Sequence, residues 1–149
     1  MAIIQSAWAK GNRQAVRPQT AGASHAQKFT FDFSNQAVAA ADILEIGELP
    51  PFCQIGSATL ISEGSFTGIT VDVGLMSGTY GDAEDTTRTS GNELFAAQAV
   101  QFASLSKGES MLIKSIEGSR GIGMKFSGDV AAAAGKKLHL VLFYYQTGE

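Results

Sequence analysis

GIGMKFSGDVAAAAGKKLHLVLFYYQ, residues 121–146, is the stretch on which the reading of the fold turns. Ile122, Met124 and Phe126 alternate with Gly123, Lys125 and Ser127, the period of two expected of a strand with one buried face. From residue 137 the chain is apolar on both faces, with Leu138, Leu140, Leu142 and Tyr144 on one and Val141, Phe143 and Tyr145 on the other. A strand apolar on both sides has to be covered on both. Either it runs through the middle of a layered β fold, or its second face meets another chain. Val141, Phe143 and Tyr145 are therefore candidates for core or for subunit contact.

Upstream, KFTFDFS (residues 28–34) places Phe29, Phe31 and Phe33 on one face and Thr30 and Asp32 on the other. Further strands are expected over residues 42–49, 54–63, 66–75 and 110–117. Pro50 and Pro51 break the first of these from the second. Asn92 is placed to cap a short helix carrying Phe95, Ala99 and Phe102, but residues 97–104 also read as a strand. Residues 107–109 read as a turn. Residues 77–92 form a long polar loop without a core pattern, and long loops are often functional or mobile. The expectation is an all-β protein, a jelly-roll-like β-sandwich of seven or eight short strands with at most one short helix; an open barrel is the alternative.

Residues 1–27 have no sustained period, and Pro18 with two glycines breaks any helix. Ile3, Ile4, Trp8 and Val16 are apolar anchors in this stretch. It reads as an extended N-terminal arm, with residues 28–149 as the β-sandwich domain. Net charge is −3, unevenly spread. Residues 1–28 carry four bases (Lys10, Arg13, Arg17, Lys28) and no acid, whereas residues 29–106 carry ten acids against Arg88 alone. A basic leader on an acidic body can fold back, reach a neighbour or touch nucleic acid. Charged residues are only 17% of the chain, against about 25% in an average domain. A surface poor in charge is readily covered by another protein.

Catalytic signatures are missing. Cys53 is the only cysteine, which excludes an internal disulfide and a cysteine zinc cluster and reads as a buried small hydrophobe. Residues 118–123 run G-x-x-G-x-G with a strand following, so the helix N-terminus of a phosphate loop is lacking; a positive-φ turn and small residues on the strand's outer face is the better reading. Asp82, Glu84 and Asp85 could hold Ca²⁺, but read as a solvated loop tip. His139 lies between Leu138 and Leu140 as a packed or interface histidine. Lys137, Phe143, Tyr144 and Tyr145 could form an aromatic and basic strip, yet the acidic body argues against nucleic acid. No cofactor is expected. No signal peptide and no membrane-length apolar run occurs, so a soluble protein made in a cytoplasm is expected.

Two segments carry a resemblance. Residues 41–81, ADILEIGELPPFCQIGSATLISEGSFTGITVDVGLMSGTYG, resemble small structural proteins of tailed-phage virions, in which a strand ending in G-x-L-P leads to another strand and then to V-G-L-x-S-G. Residues 120–145, RGIGMKFSGDVAAAAGKKLHLVLFYY, look like the terminal hairpin of the same proteins. The resemblance implies a non-enzymatic virion protein, most like a head decoration or cement protein bound outside the shell of the major capsid protein, commonly as a trimer. On that reading Ile3, Ile4, Trp8, Arg13 and Arg17 form the capsid-binding arm. A tail or connector protein of the virion is one rival. A carbohydrate-binding jelly-roll module, using Tyr80 and the acidic loop at residues 82–85 with Ca²⁺, is another.

Overall fold

A computed structural model describes residues 1–15, 17, 23–101, 103–104 and 108–146. Among them run nine strand segments: β1 (Ile3–Gln5), β2 (Ser24–Asp32), β3 (Ile43–Leu49), β4 (Cys53–Glu63), β5 (Thr70–Leu75), β6 (Phe95–Ala99), β7 (Ala103–Ser104), β8 (Arg120–Phe126) and β9 (Lys137–Gln146). They form a five-stranded sheet in the order β1-β3-β8-β5-β6 and a four-stranded sheet in the order β2-β9-β4-β7. β2 to β9 follow the jelly-roll order, each sheet taking strands from both halves of the chain, and β1 is added in parallel beside β3. The all-β sandwich expected from the alternating pattern is present. β7 is a two-residue stub.

The inward faces meet as the alternation requires. Phe29, Phe31 and Phe33 are buried, and Phe33 packs edge-on with Phe31, Phe66 and Phe126 at centroid distances of 4.8, 5.6 and 6.2 Å. Leu138, Leu140, Leu142 and Tyr144 of β9 and Ile122, Met124 and Phe126 of β8 complete the core from opposite sides. Gly47 faces inward under the ring of Phe29, so closely that a Cβ there would enter the ring. Cys53 is buried, and burial raises its thiol pKa.

Four local expectations differ from the structure. β8 and β9 are not a hairpin: they lie in opposite sheets, β8 between β3 and β5, β9 between β2 and β4. The connection between them crosses the sandwich, pinned where Val130 pairs with Val38. Residues 95–99 are a strand rather than a helix, because β5 offers an open edge there; the Ala97 N–H, at φ 46°, donates to Asp72 Oδ1 at 2.7 Å. The strand expected over residues 110–117 is instead the end of a 3-10 turn (Gly108–Leu112) and irregular chain, since Ser110 bonds the Glu93 carbonyl rather than a neighbouring strand. Gly118, Gly121 and Gly123 do not adopt positive φ. Phe102, Val16, Pro18 and Lys107 lie outside the described residues.

Residues 1–15 of the N-terminal stretch fold back on the body. β1 pairs with β3, with Ile3 opposite Ile43. Ser6 Oγ then donates to the Ile46 carbonyl at 2.6 Å, and residues 7–13 turn back on themselves. Trp8 closes the open edge between the two sheets by packing edge-on against Phe29 at 5.5 Å. The physical reason is that two sheets stacked about 10 Å apart leave an apolar slot at their edge, and a large ring nearby in sequence fills it.

Candidate interaction surfaces

Three surfaces concentrate side chains that the core does not use. The first is the N-terminal segment. Of its five candidate residues, Ile3 and Trp8 are buried within the chain, Ile4 is half-buried, and Arg13 and Arg17 are exposed. Arg13 lies over the Trp8 ring at 5.3 Å, and Arg17 Nη2 meets Glu48 Oε1 at 3.1 Å. The segment and β2 leave a shallow groove between them, lined by Trp8, Arg13, Lys28 and Thr30 among others.

The second is the outer face of the five-stranded sheet, which residues 77–92 cover. Across β3, β8 and β5 the outward positions Glu45, Gly123 and Gly74 form one row, with Glu48 and Gly121 in the next pair. A Cβ on Gly123 would strike Ser90 Oγ and Met76 Cγ, and one on Gly121 would strike Glu45 and Arg88. The missing side chains are therefore the bed in which the loop lies. Arg88, fully buried, donates from Nε to the Ser77 carbonyl (2.8 Å), from Nη1 to the Asp82 carbonyl (2.9 Å) and from Nη2 to Glu45 Oε2. Glu45 Oε1 accepts from Gln5 Nε2 (3.1 Å) and the Gly81 N–H (3.2 Å). Every polar end of this pair is matched, which is the condition for keeping two charges out of water. Sequence reading took residues 77–92 as a polar loop without a core pattern and gave Arg88 no role. The available signal was Arg88 itself, the lone base among ten acids.

The acidic tip of that loop is built as a turn. Asp82 Oδ1 accepts from the N–H groups of Glu84 (3.0 Å) and Asp85 (3.2 Å), while Asp85 Oδ1 accepts from the N–H (3.0 Å) and hydroxyl (2.5 Å) of Thr87. The bond from Thr87 holds the Asp85 carboxyl below its ordinary pKa. Asp82 and Asp85 thus each spend a carboxylate oxygen on local backbone. Among the described residues no group of three His, Cys, Asp or Glu side chains converges on a metal position. Tyr80 is half-buried, and burial raises its pKa.

The third is the outer face of the four-stranded sheet. β9 is central, with β2 and β4 on either side, so its inner face is core. Among the described residues its outer face is left partly open: Val141 and Tyr145 are half-buried and Phe143 is exposed. None of the three is among the buried residues of the core. His139 stands in the same face between Thr30 Oγ1 (2.8 Å from Nδ1) and Glu63 Oε2 (2.5 Å from Nε2). That bond from His139 lowers the Glu63 pKa.

No protein-family model matches the sequence, and no curated protein matches it. Among solved structures, a chain of the capsid of Ralstonia phage GP4 is 39% identical, with a TM-score of 0.86 over 97% of this chain and 98% of that one. The chain belongs to the same family of bacteriophage capsid proteins. The fold also matches chains of the cyanophage Pam1 capsid (20% identity, TM-score 0.57, 89% of this chain and 92% of that one) and of the acidic stable capsid of Helicobacter pylori bacteriophage KHP30 (15%, 0.53, 86% and 91%).

Proposed function

We propose that the protein is a non-enzymatic decoration, or cement, protein that binds the outer surface of the major capsid protein shell and stabilises the head, working as a homo-oligomer, with a trimer favoured. The observation that carries this reading is the 39% identity with a phage capsid chain over nearly the whole of both chains. It also favours the head over a tail or connector position. The carbohydrate-binding reading loses its support where Asp82 and Asp85 are spent in turns.

The contact with the shell is assigned to the N-terminal segment. Ile3 and Trp8 anchor that segment in the body and Ile4 packs half-buried against the core, leaving Arg13 and Arg17, with Lys10, exposed. This is the basic part of a net acidic chain, and like-signed side chains over a small area favour an acidic surface on the partner. Bridging adjacent capsomers adds buried area across their seams, multiplied by many simultaneous contacts.

The test is co-sedimentation of the purified protein with undecorated shells of the major capsid protein. Saturable binding is expected, weakened by Lys10→Glu with Arg13→Glu and by added salt. Absence of binding to intact shells sinks the reading. Binding that ignores both charge reversal and salt moves the contact to another surface.

A further inference from the structure

β9 presents to solvent a face that a lone chain has no reason to make apolar. The register sets its neighbours: Phe143 stands between Ala26 of β2 and Ser57 of β4, Val141 between Lys28 and Thr59, and Tyr145 between Ser24 and Gln54. Short side chains on both sides leave the Phe143 ring 39% exposed. Across β4 lies residues 111–116, where Leu112 is 77% exposed and Met111 and Ile116 nearly half. The two regions are joined. Gln54, beside Tyr145 on the sheet, donates its side-chain amide to the Ile113 carbonyl at 3.0 Å, and the Phe52 N–H donates to the Ile116 carbonyl at 2.7 Å. Phe52 has φ 60°, a left-handed conformation that is costly for a bulky residue, and its ring stays at the surface. Five of the six exposed large apolar side chains among the described residues fall on this one surface; Met1 is the sixth.

We propose that this surface, the outer face of β9 together with residues 111–116 and Phe52, is where copies of this chain meet. The proposal rests on the homo-oligomer of the preceding section and names the surface that builds it. Two observations select a second copy as the occupant. The first is charge. The charged side chains on the sheet face are of both signs: Lys137 stands between Asp32 and Glu63 in one row, His139 meets Glu63 from the next, and Lys28 lies beside Val141. Such a face offers no single-signed field to an acidic or basic partner, and it matches another surface of the same kind. The second is area. Three strands about 4.8 Å apart and about 33 Å long present roughly 475 Å². Residues 111–116 with Phe52 extend this by a strip about 20 Å long. Together they approach the roughly 800 Å² per partner of a stable interface, which the sheet alone does not reach.

The experiment is the molar mass of the full chain by sedimentation equilibrium across a micromolar concentration series, for the wild type, Phe143→Lys and Leu112→Asp. Both substitutions are at exposed positions, and circular dichroism checks the fold; Phe143→Ser replaces the lysine variant if that one fails to fold. The wild type is expected to be an oligomer, with each variant needing about tenfold or more higher concentration to associate. A Thr86→Lys control on the exposed loop at residues 77–92 is expected to keep the wild-type mass. A wild type that is a monomer throughout overturns the proposal, as do variants that associate unchanged. Shell co-sedimentation run alongside separates the two readings. A monomer that still binds shells overturns this proposal and leaves the decoration reading standing. An oligomer dispersed by the variants, with no shell binding by the wild type, supports this surface and overturns the decoration reading.

Discussion

Replacing Arg88 by methionine tests whether the loop at residues 77–92 is part of the fold or an ornament on it. The guanidinium is fully buried and donates to the Ser77 and Asp82 carbonyls and to Glu45. Methionine fills much of the same volume and offers no donor. Glu45 then keeps the Gln5 and Gly81 bonds to Oε1 but has a carboxylate in the interior with no counter-charge. Removing one partner of a buried pair costs about 3–5 kcal/mol. With an urea m-value near 2 kcal/mol per M, the unfolding midpoint falls by roughly 1.5–2.5 M. Urea titration followed by the fluorescence of Trp8 reads this directly. The double variant Glu45→Leu with Arg88→Met should recover most of the loss, because no charge is left stranded. A single variant within about 0.5 kcal/mol of wild type, the size of an ordinary surface substitution, would refute the argument. It would mean that Glu45 reaches water and that the loop does not seal this face.

Three further outcomes follow from the same packing. Trp8→Ala should cost about 3–5 kcal/mol, because the ring fills the edge of the sandwich against Phe29; a negligible change in the urea midpoint would return residues 1–15 to the status of a free arm. Gly123→Ala should cost about 1–3 kcal/mol by overpacking and should speed proteolytic nicking within residues 77–92, since its Cβ enters the space of Ser90 and Met76; unchanged cleavage would contradict the close approach. The His139 bond lowers the Glu63 pKa from its ordinary 4.5. A carboxyl with a depressed folded pKa adds stability that is present above its ordinary value and is lost as pH falls through the folded one. Stability should therefore decline below about pH 4.5, and Glu63→Gln should flatten that decline in urea titrations over a pH series; identical pH profiles would rule out the contribution.

The strands that carry the jelly roll were legible because each buries one face. Phe29, Phe31 and Phe33, and Leu138, Leu140, Leu142 and Tyr144, alternate cleanly in the sequence and line the core in the structure. The two-sided character of β9 was also visible, and its second face is partly exposed among the described residues. What the residues could not reveal is which strands become neighbours. β8 and β9 are consecutive, yet the jelly roll sends them to opposite sheets, a choice that depends on the whole set of strands. Residues 95–99 took their state from an open edge on β5, which overrides a weak local preference. Arg88 and the glycines at 74, 121 and 123 were individually ordinary. Their common purpose appears only when three strands are laid side by side.

The copy number and position of the protein in intact particles test the central claim most directly. Quantitative mass spectrometry of purified particles, with cryo-electron microscopy of the same sample, would supply both. The account predicts many copies in fixed ratio to the major capsid protein, spread over the outside of the shell. A few copies confined to one vertex or to the tail, or none in the mature particle, would contradict it.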